Sequence, residues 1–265
     1  MRIDLAGKVL LVTGSTQGLG ARIAELAAEA GAEAITICGR QQQAGEAMAA
    51  KLVDAGTSAH YVQADLGNAI APSDLVERTI DAFGRVDLLV NAAAVTDRAS
   101  LIDGTLADWE RIFDVNVRAP FFLMQAAVKD MLKRGAPGSI VNILSTNIHC
   151  GAPDLAIYSA SKGALATLTR NVANAHMRDR IRVNGINMGW VATPNEHRMQ
   201  GEPLGKGPDW AAEVSKGMPL KRMLTIDEVA RLTLYLLSDL SGLQTGTLTD
   251  LEQAVFGAPN IGRNS

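Results

Sequence analysis

Tyr158 and Lys162 stand four residues apart in Tyr158-Ser159-Ala160-Ser161-Lys162, and Ser145 lies thirteen residues upstream. Residues at i and i+4 of a helix share one face. The spacing therefore sets an ammonium beside a phenol whose unperturbed pKa is ~10, and a positive neighbour favours the phenolate. With a serine hydroxyl to hold an oxygen, such a pair can give and take a proton near neutral pH. Near the N-terminus, a strand feeds Thr13-Gly14-Ser15-Thr16-Gln17-Gly18-Leu19-Gly20. A strand, glycine turn and helix start present free amides and a positive dipole end to a pyrophosphate. Gly14 permits the tight turn, and Gly18 and Gly20 allow close backbone approach. A dinucleotide seat plus a proton donor implies hydride transfer.

The end of the second strand selects the dinucleotide. An Asp or Glu there hydrogen-bonds the ribose hydroxyl of NAD, whereas an Arg accepts the extra phosphate of NADP. Here the strand ends Ile37-Cys38-Gly39-Arg40 with no acid, which favours NADP. NAD stays open, because Gln17 adds no second cation. Asp65 and Leu66, after the third strand, would lie near an adenine; Asp65 could equally cap a turn.

These residues need a scaffold, and the pattern supplies one. Short apolar runs at 9–13, 34–38, 59–63, 88–91, 139–144, 181–187 and 247–250 read as strands. Helical patterns at 19–30, 42–55, 72–83, 106–133, 155–177 and 225–237 alternate with them. Near-continuous apolar strands suit a parallel sheet buried on both faces, and the alternation implies right-handed βαβ units. The expected fold is α/β, one domain over 1–265, a doubly wound Rossmann-type parallel sheet with helices on both faces. The helix at 225–237 opens with the capping box Thr225-x-x-Glu228. Residues 194–219, the least patterned stretch, follow a strand end where ligand loops of open sheets sit, and read as a substrate lid or a surface excursion.

Composition narrows the class. A formal net charge of −3 is too small to imply a nucleic-acid or anionic-membrane partner. Two cysteines, Cys38 and Cys150, give no disulfide framework, so a reducing cytoplasm is the expected compartment. The first seven residues do not read as a signal peptide, and no apolar run reaches the ~18 residues of a membrane span. No His/Cys cluster has metal-ligand spacing.

Taken in order, the motifs resemble the short-chain dehydrogenase/reductase family over nearly the whole chain. Thr13–Gly20 resembles its cofactor turn, Asn91-Ala92-Ala93-Ala94 its Asn-Asn-Ala-Gly segment, and Asn116 its active-site Asn. Ser145, Tyr158 and Lys162 resemble its catalytic residues. The resemblance implies that Tyr158 is the general acid/base and Ser145 holds the substrate oxygen. Lys162 would lower the tyrosine pKa and bind the nicotinamide ribose. Asn116 would anchor a relay water, Asn91 would support the sheet, and Ala92 and Ala93 would flank the cofactor. In Gly189-Trp190-Val191-Ala192-Thr193, Thr193 would hold the carboxamide, with Gly189 and Val191 beside it. Two departures stand out. Ala94 replaces a glycine, so the backbone there must avoid left-handed geometry. Met188 replaces a proline, which leaves that turn less rigid.

Thr146, Asn147, His149 and Cys150 follow Ser145, and Trp190, Glu196 and His197 lie where a lid would close. This polar mixture suits a sugar or polyol interconverted between secondary alcohol and ketone. One alternative is a 3-oxoacyl thioester reductase, which would need a basic docking patch; Arg98, Arg118, Lys129, Lys133 and Arg134 are its candidates. Another is a non-catalytic NAD(P)-binding regulator. The family resemblance and the long helices imply a homodimer or homotetramer.

Overall fold

Seven parallel strands form one sheet in the order β3-β2-β1-β4-β5-β6-β7. The computed structural model describes residues 2–201 and 204–257. β1 (Val9–Val12), β2 (Ala34–Gly39), β4 (Leu88–Asn91) and β5 (Gly138–Ile143) are almost wholly buried, as apolar runs covered on both faces must be. β3 (Ser58–Gln63) is an edge, and β6 (Ile181–Met188) and β7 (Leu248–Leu251) complete the other side. α1 (Gly18–Glu29), α2 (Gln42–Asp54) and α9 (Ile226–Leu237) belong to one face. α3 (Ala71–Phe83), α5 (Ala119–Arg134) and α6 (Ala156–His176) cover the other. The Thr225–Glu228 capping box is formed in both directions, and a second, Thr105–Asp108, opens α4 (Leu106–Phe113).

Strand order reverses between β1 and β4, where the following connections diverge and open a crevice. The glycine turn leaves β1 there, and Ala92-Ala93 leaves β4 beside it. Thr13 ties the two: its Oγ1 accepts from the amides of Ala92 at 3.0 Å and Ala93 at 3.1 Å. Ala94 keeps a negative φ, as its side chain requires.

The expected unbroken helix over 106–133 is a correction. α4 ends at Phe113, a π turn runs Asp114–Arg118, and α5 begins at Ala119. The amide of Ala119 reaches back five residues to the Asp114 carbonyl. Pro120 is the cause written in the sequence. It has no N–H to give the Asn116 carbonyl in the α pattern, and its ring crowds the preceding turn.

A buried polar chain fixes α6 on the sheet. Asn91 Nδ2 donates to Asn142 Oδ1 at 2.7 Å, and Asn142 Nδ2 donates to Thr169 Oγ1 at 2.9 Å. It links β4, β5 and α6, and so sets the height of Tyr158 and Lys162 two to three turns earlier on that helix. Residues 194–219, read as unpatterned, carry α7 (Pro194–Gly201) and α8 (Trp210–Gly217). Trp210 is buried there, tilted against Trp190 at 5.7 Å, with its Nε1 donating to His197 Nδ1 at 3.0 Å. Polar helix surfaces around one buried indole leave little periodicity to read.

Candidate active site

Two glycines of the turn, Gly14 and Gly20, have no room for a side chain. Gly14 has φ +63, and a Cβ on it would lie 2.9 Å from the Ala93 Cα. A Cβ on Gly20 would lie 2.4 Å from the Gly14 carbonyl oxygen. The N-cap Gln17 makes no side-chain cap bond, and α1 has no acid in its first turn. Its opening amides and dipole are therefore free for an anion. Leu19 lies in that first turn. Ser15 points inward instead: its Oγ donates to the Val12 carbonyl at 2.7 Å and accepts from the Cys38 amide at 3.0 Å. Its amide donates to the Cys38 carbonyl at 3.0 Å as well, so this fully buried serine ties β1 to β2 instead of presenting a group to the crevice.

At the end of β2, Thr16 fills the space a Gly39 side chain would need, with its Cγ2 2.6 Å from that Cβ position. Arg40 follows, exposed. Among the described residues no ion pair takes its guanidinium, while its carbonyl accepts from Gln63 Nε2 at 2.9 Å. Asp65 is exposed and closes a turn by accepting from the Gly67 amide at 3.0 Å, the capping role left open by the sequence. Leu66 is buried beneath it. The uncapped amides and the glycine cradle fit a dinucleotide, and Arg40 stands exposed at its rim.

Ser145, Tyr158 and Lys162 come together as the spacing requires, all nearly buried. Ser145 starts the short turn Thr146–Ile148 and accepts from the Asn147 amide at 3.2 Å. Lys162 Nζ donates to the Ile143 carbonyl at 2.8 Å and lies 5.9 Å from the centre of the Tyr158 ring. Burial pushes the Tyr158 phenol up to about 12; its hydrogen bond with Ser145 pulls the other way, and the Glu196 charge adds to the rise. Burial pushes the Lys162 ammonium down to about 8. The expected lowering of the tyrosine by the lysine is not seen. Both groups lose hydration, and Nζ is turned to a carbonyl rather than to the phenol oxygen.

Asn116, carried by the π turn, is fully buried. Its Oδ1 accepts from the Val95 amide at 2.8 Å, and its Nδ2 donates to the Val95 carbonyl at 2.9 Å and Ser161 Oγ at 3.1 Å. Both Nδ2 hydrogens are used, so the side chain is a tie between the β4 loop and α6.

A cavity of about 350 Å³ opens from Ser145 and Tyr158. Thr146, Asn147, Trp190 and Glu196 line it as expected, together with Gly189, Val191, Thr193 and Met188. Thr193 Oγ1 also caps α7 by accepting from the Glu196 amide at 3.2 Å. Trp190 Nε1 donates to Glu196 Oε1 at 2.9 Å.

A family model described as enoyl-(acyl carrier protein) reductase matches residues 14–251. A solved short-chain dehydrogenase/reductase family protein is 37% identical, covers 95% of this chain and 98% of its own, and superposes with a TM-score of 0.82. This chain is a short-chain dehydrogenase/reductase. An uncharacterized oxidoreductase of Thermotoga maritima is 36% identical over 244 residues, 92% of this chain and 93% of the relative. The L-sorbose reductase of Gluconobacter frateurii, solved with NADPH and L-sorbose, is 27% identical with a TM-score of 0.91, covering 98% of this chain and all of that one. The chain is thus an NAD(P)-dependent oxidoreductase acting on CH–OH and carbonyl groups.

Some expectations land differently in the dehydrogenase/reductase structure. His149 does not line the cavity. Its Nε2 pairs with Asp250 Oδ1 at 2.9 Å, and its ring stacks on Phe256 at 4.4 Å, because the turn after Ser145 carries it toward β7. His197 likewise serves Trp210. Arg98 and Glu252 are among the wall residues that sequence reasoning missed. Arg98 stands in an unpatterned loop, and Glu252 reaches the site only through the parallel pairing of β7 with β6; neither has a local signal. Among the described residues there is no metal-binding grouping, and no helix is long and apolar enough to cross a membrane.

Proposed function

We propose that this enzyme interconverts a secondary alcohol and a ketone on a small polyhydroxylated substrate such as a sugar or polyol, with NADP preferred over NAD. The observation that carries this reading is the small cavity in which Ser145 and Tyr158 share a wall with amide, hydroxyl and carboxylate groups. Such a lining matches hydroxyls rather than a long acyl chain. The relative solved with NADPH and L-sorbose supports both halves of it.

The nicotinamide, when bound, supplies or accepts the hydride. The chain does the rest. Ser145 and Tyr158 donate to the carbonyl oxygen and hold it as negative charge develops. The Tyr158 phenol, kept protonated by burial, gives its proton to that oxygen as the alcohol forms. A proton from solvent, passed by way of water and the Lys162 ammonium, then restores the phenol. Asn116 acts by holding Val95 and Ser161, and its backbone carbonyl is our candidate for anchoring the relay water. Residues 194–219 form the substrate-covering segment on this reading, since Glu196 and Met199 of α7 belong to the cavity wall.

Arg40 selects the dinucleotide. Wild-type protein should bind NADPH about tenfold more tightly than NADH, and Arg40→Ala should remove most of that gap by weakening NADPH alone. Parallel titrations by nicotinamide fluorescence read this directly. Tighter NADH binding by the wild type would sink the NADP assignment. A ketose panel run with the better cofactor tests the substrate half.

Three of the five candidates for a thioester docking patch are taken within the chain, which leaves Lys129 and Lys133 and weakens that alternative. Arg98 pairs with Asp154 at 3.0 Å inside the cavity wall. Arg118 is taken by Asp114 and the Gly67 carbonyl, and Arg134 by Asp130 at 2.9 Å and Asp87 at 3.3 Å. A regulator would not need an enclosed Ser145-Tyr158-Lys162 site, so its buried construction speaks for catalysis. Self-association as a homodimer or homotetramer is supported by apolar side chains left on α4 and α5: Leu106, Trp109, Phe121 and Leu132 are exposed. Sedimentation at micromolar concentration should give a species of at least twice 28.0 kDa; a monomer alone would refute it.

A further inference from the structure

Glu252 follows β7 and reaches across to the end of β6, and the chain makes room for it. A Cβ on Gly189 would lie 1.8 Å from the Glu252 Oε2. The carboxylate is held by neutral donors: Oε2 accepts from the Trp190 amide at 3.2 Å and Oε1 from the Gln253 amide at 2.6 Å. Glu196, also on the cavity wall, accepts from Trp190 Nε1 at 2.9 Å and Gln200 Nε2 at 2.6 Å, again neutral. The cavity therefore carries two carboxylates whose partners fix position without cancelling charge. Arg98 is the cation on the wall, and Asp154 balances it. Lys162 lies behind Tyr158 with its ammonium on the Ile143 carbonyl.

We propose that Glu252 is a specificity-determining residue: its carboxylate accepts hydroxyls of an uncharged polyhydroxy substrate and, together with Glu196, repels substrates that carry a carboxylate or phosphate. This rests on the sugar or polyol reading above and narrows it. Carboxylates are strong hydroxyl acceptors, which suits a polyol. They also place like charge against any acidic group in a partly enclosed space, where repulsion is weakly screened. Specificity here comes as much from rejecting anions as from holding the correct ligand.

The test compares L-sorbose with the keto-aldonate that differs from it only by a carboxylate in place of the terminal hydroxymethyl group. Wild-type kcat/KM should favour L-sorbose by at least about tenfold. Glu252→Gln keeps the shape and one of the two acceptor oxygens but removes the charge. It should shrink that ratio about tenfold, mainly through KM, with the keto-aldonate improving in absolute terms. Unaltered NADPH affinity in the variant establishes that its seat is intact. A wild-type preference for the keto-aldonate overturns the proposal without any variant, and an unchanged ratio in Glu252→Gln overturns it as well. If neither sugar is reduced but a 3-oxoacyl thioester is, the substrate reading fails first and the proposal falls with it.

Discussion

Tyr158→Phe should lower kcat by about 10²–10⁴-fold in both directions while leaving NADPH binding in place. The phenol is enclosed with Ser145 beside it and Lys162 one helical turn on. A phenylalanine fills the same volume, so packing survives and only the proton is lost. Stopped-flow turnover and nicotinamide fluorescence separate the two readouts, and a variant with ordinary kcat would remove Tyr158 from the mechanism. The pH profile follows from the same groups. A phenol raised to about 12 stays protonated through neutral pH, which serves reduction. The Lys162 ammonium, lowered to about 8, loses its proton as pH rises past that value, so kcat/KM for reduction should decline there. Oxidation needs the tyrosine deprotonated and should climb with pH instead.

Gly20→Ala should cost at least about a hundredfold in NADPH affinity and lower the melting temperature as well. The added methyl would stand 2.4 Å from the Gly14 carbonyl oxygen and 2.9 Å from the Ser15 Cα, both backbone atoms that cannot swing aside. The turn must open, and with it go the helix-start amides that would face a pyrophosphate. Backbone overpacking of this kind costs about 1–3 kcal/mol. Isothermal titration and thermal unfolding measure the two effects. Normal NADPH affinity would mean that the cradle adapts and is not the anion site.

Much of this was legible in the chain because strong local rules acted alone. Apolar runs such as Val9–Val12 are buried whole, and Thr225–Glu228 capped its helix as its spacing requires. The acid/base trio was legible because helical periodicity forces Tyr158 and Lys162 onto one face. What escaped was set by tertiary context. Ser15 turns inward because Cys38 offers an amide, a contact 23 positions away. His149 goes to Asp250, 101 positions on. Glu252 joins the cavity only when β7 pairs with β6. Pro120 stands inside the 106–133 pattern, and the break it causes falls on the turn that carries Asn116.

That break amounts to a constraint on chain length. A π turn holds one residue more than an α-helix can seat, and the surplus swings the following side chains by about 100°. Asn116 meets both Val95 and Ser161 only in that offset phase. Removing one residue from Asp114–Arg118 would drive the Pro120 ring into a tighter turn, spare every group that touches substrate, and still part the β4 loop from α6. Substitutions should therefore be tolerated in this stretch far more readily than deletions.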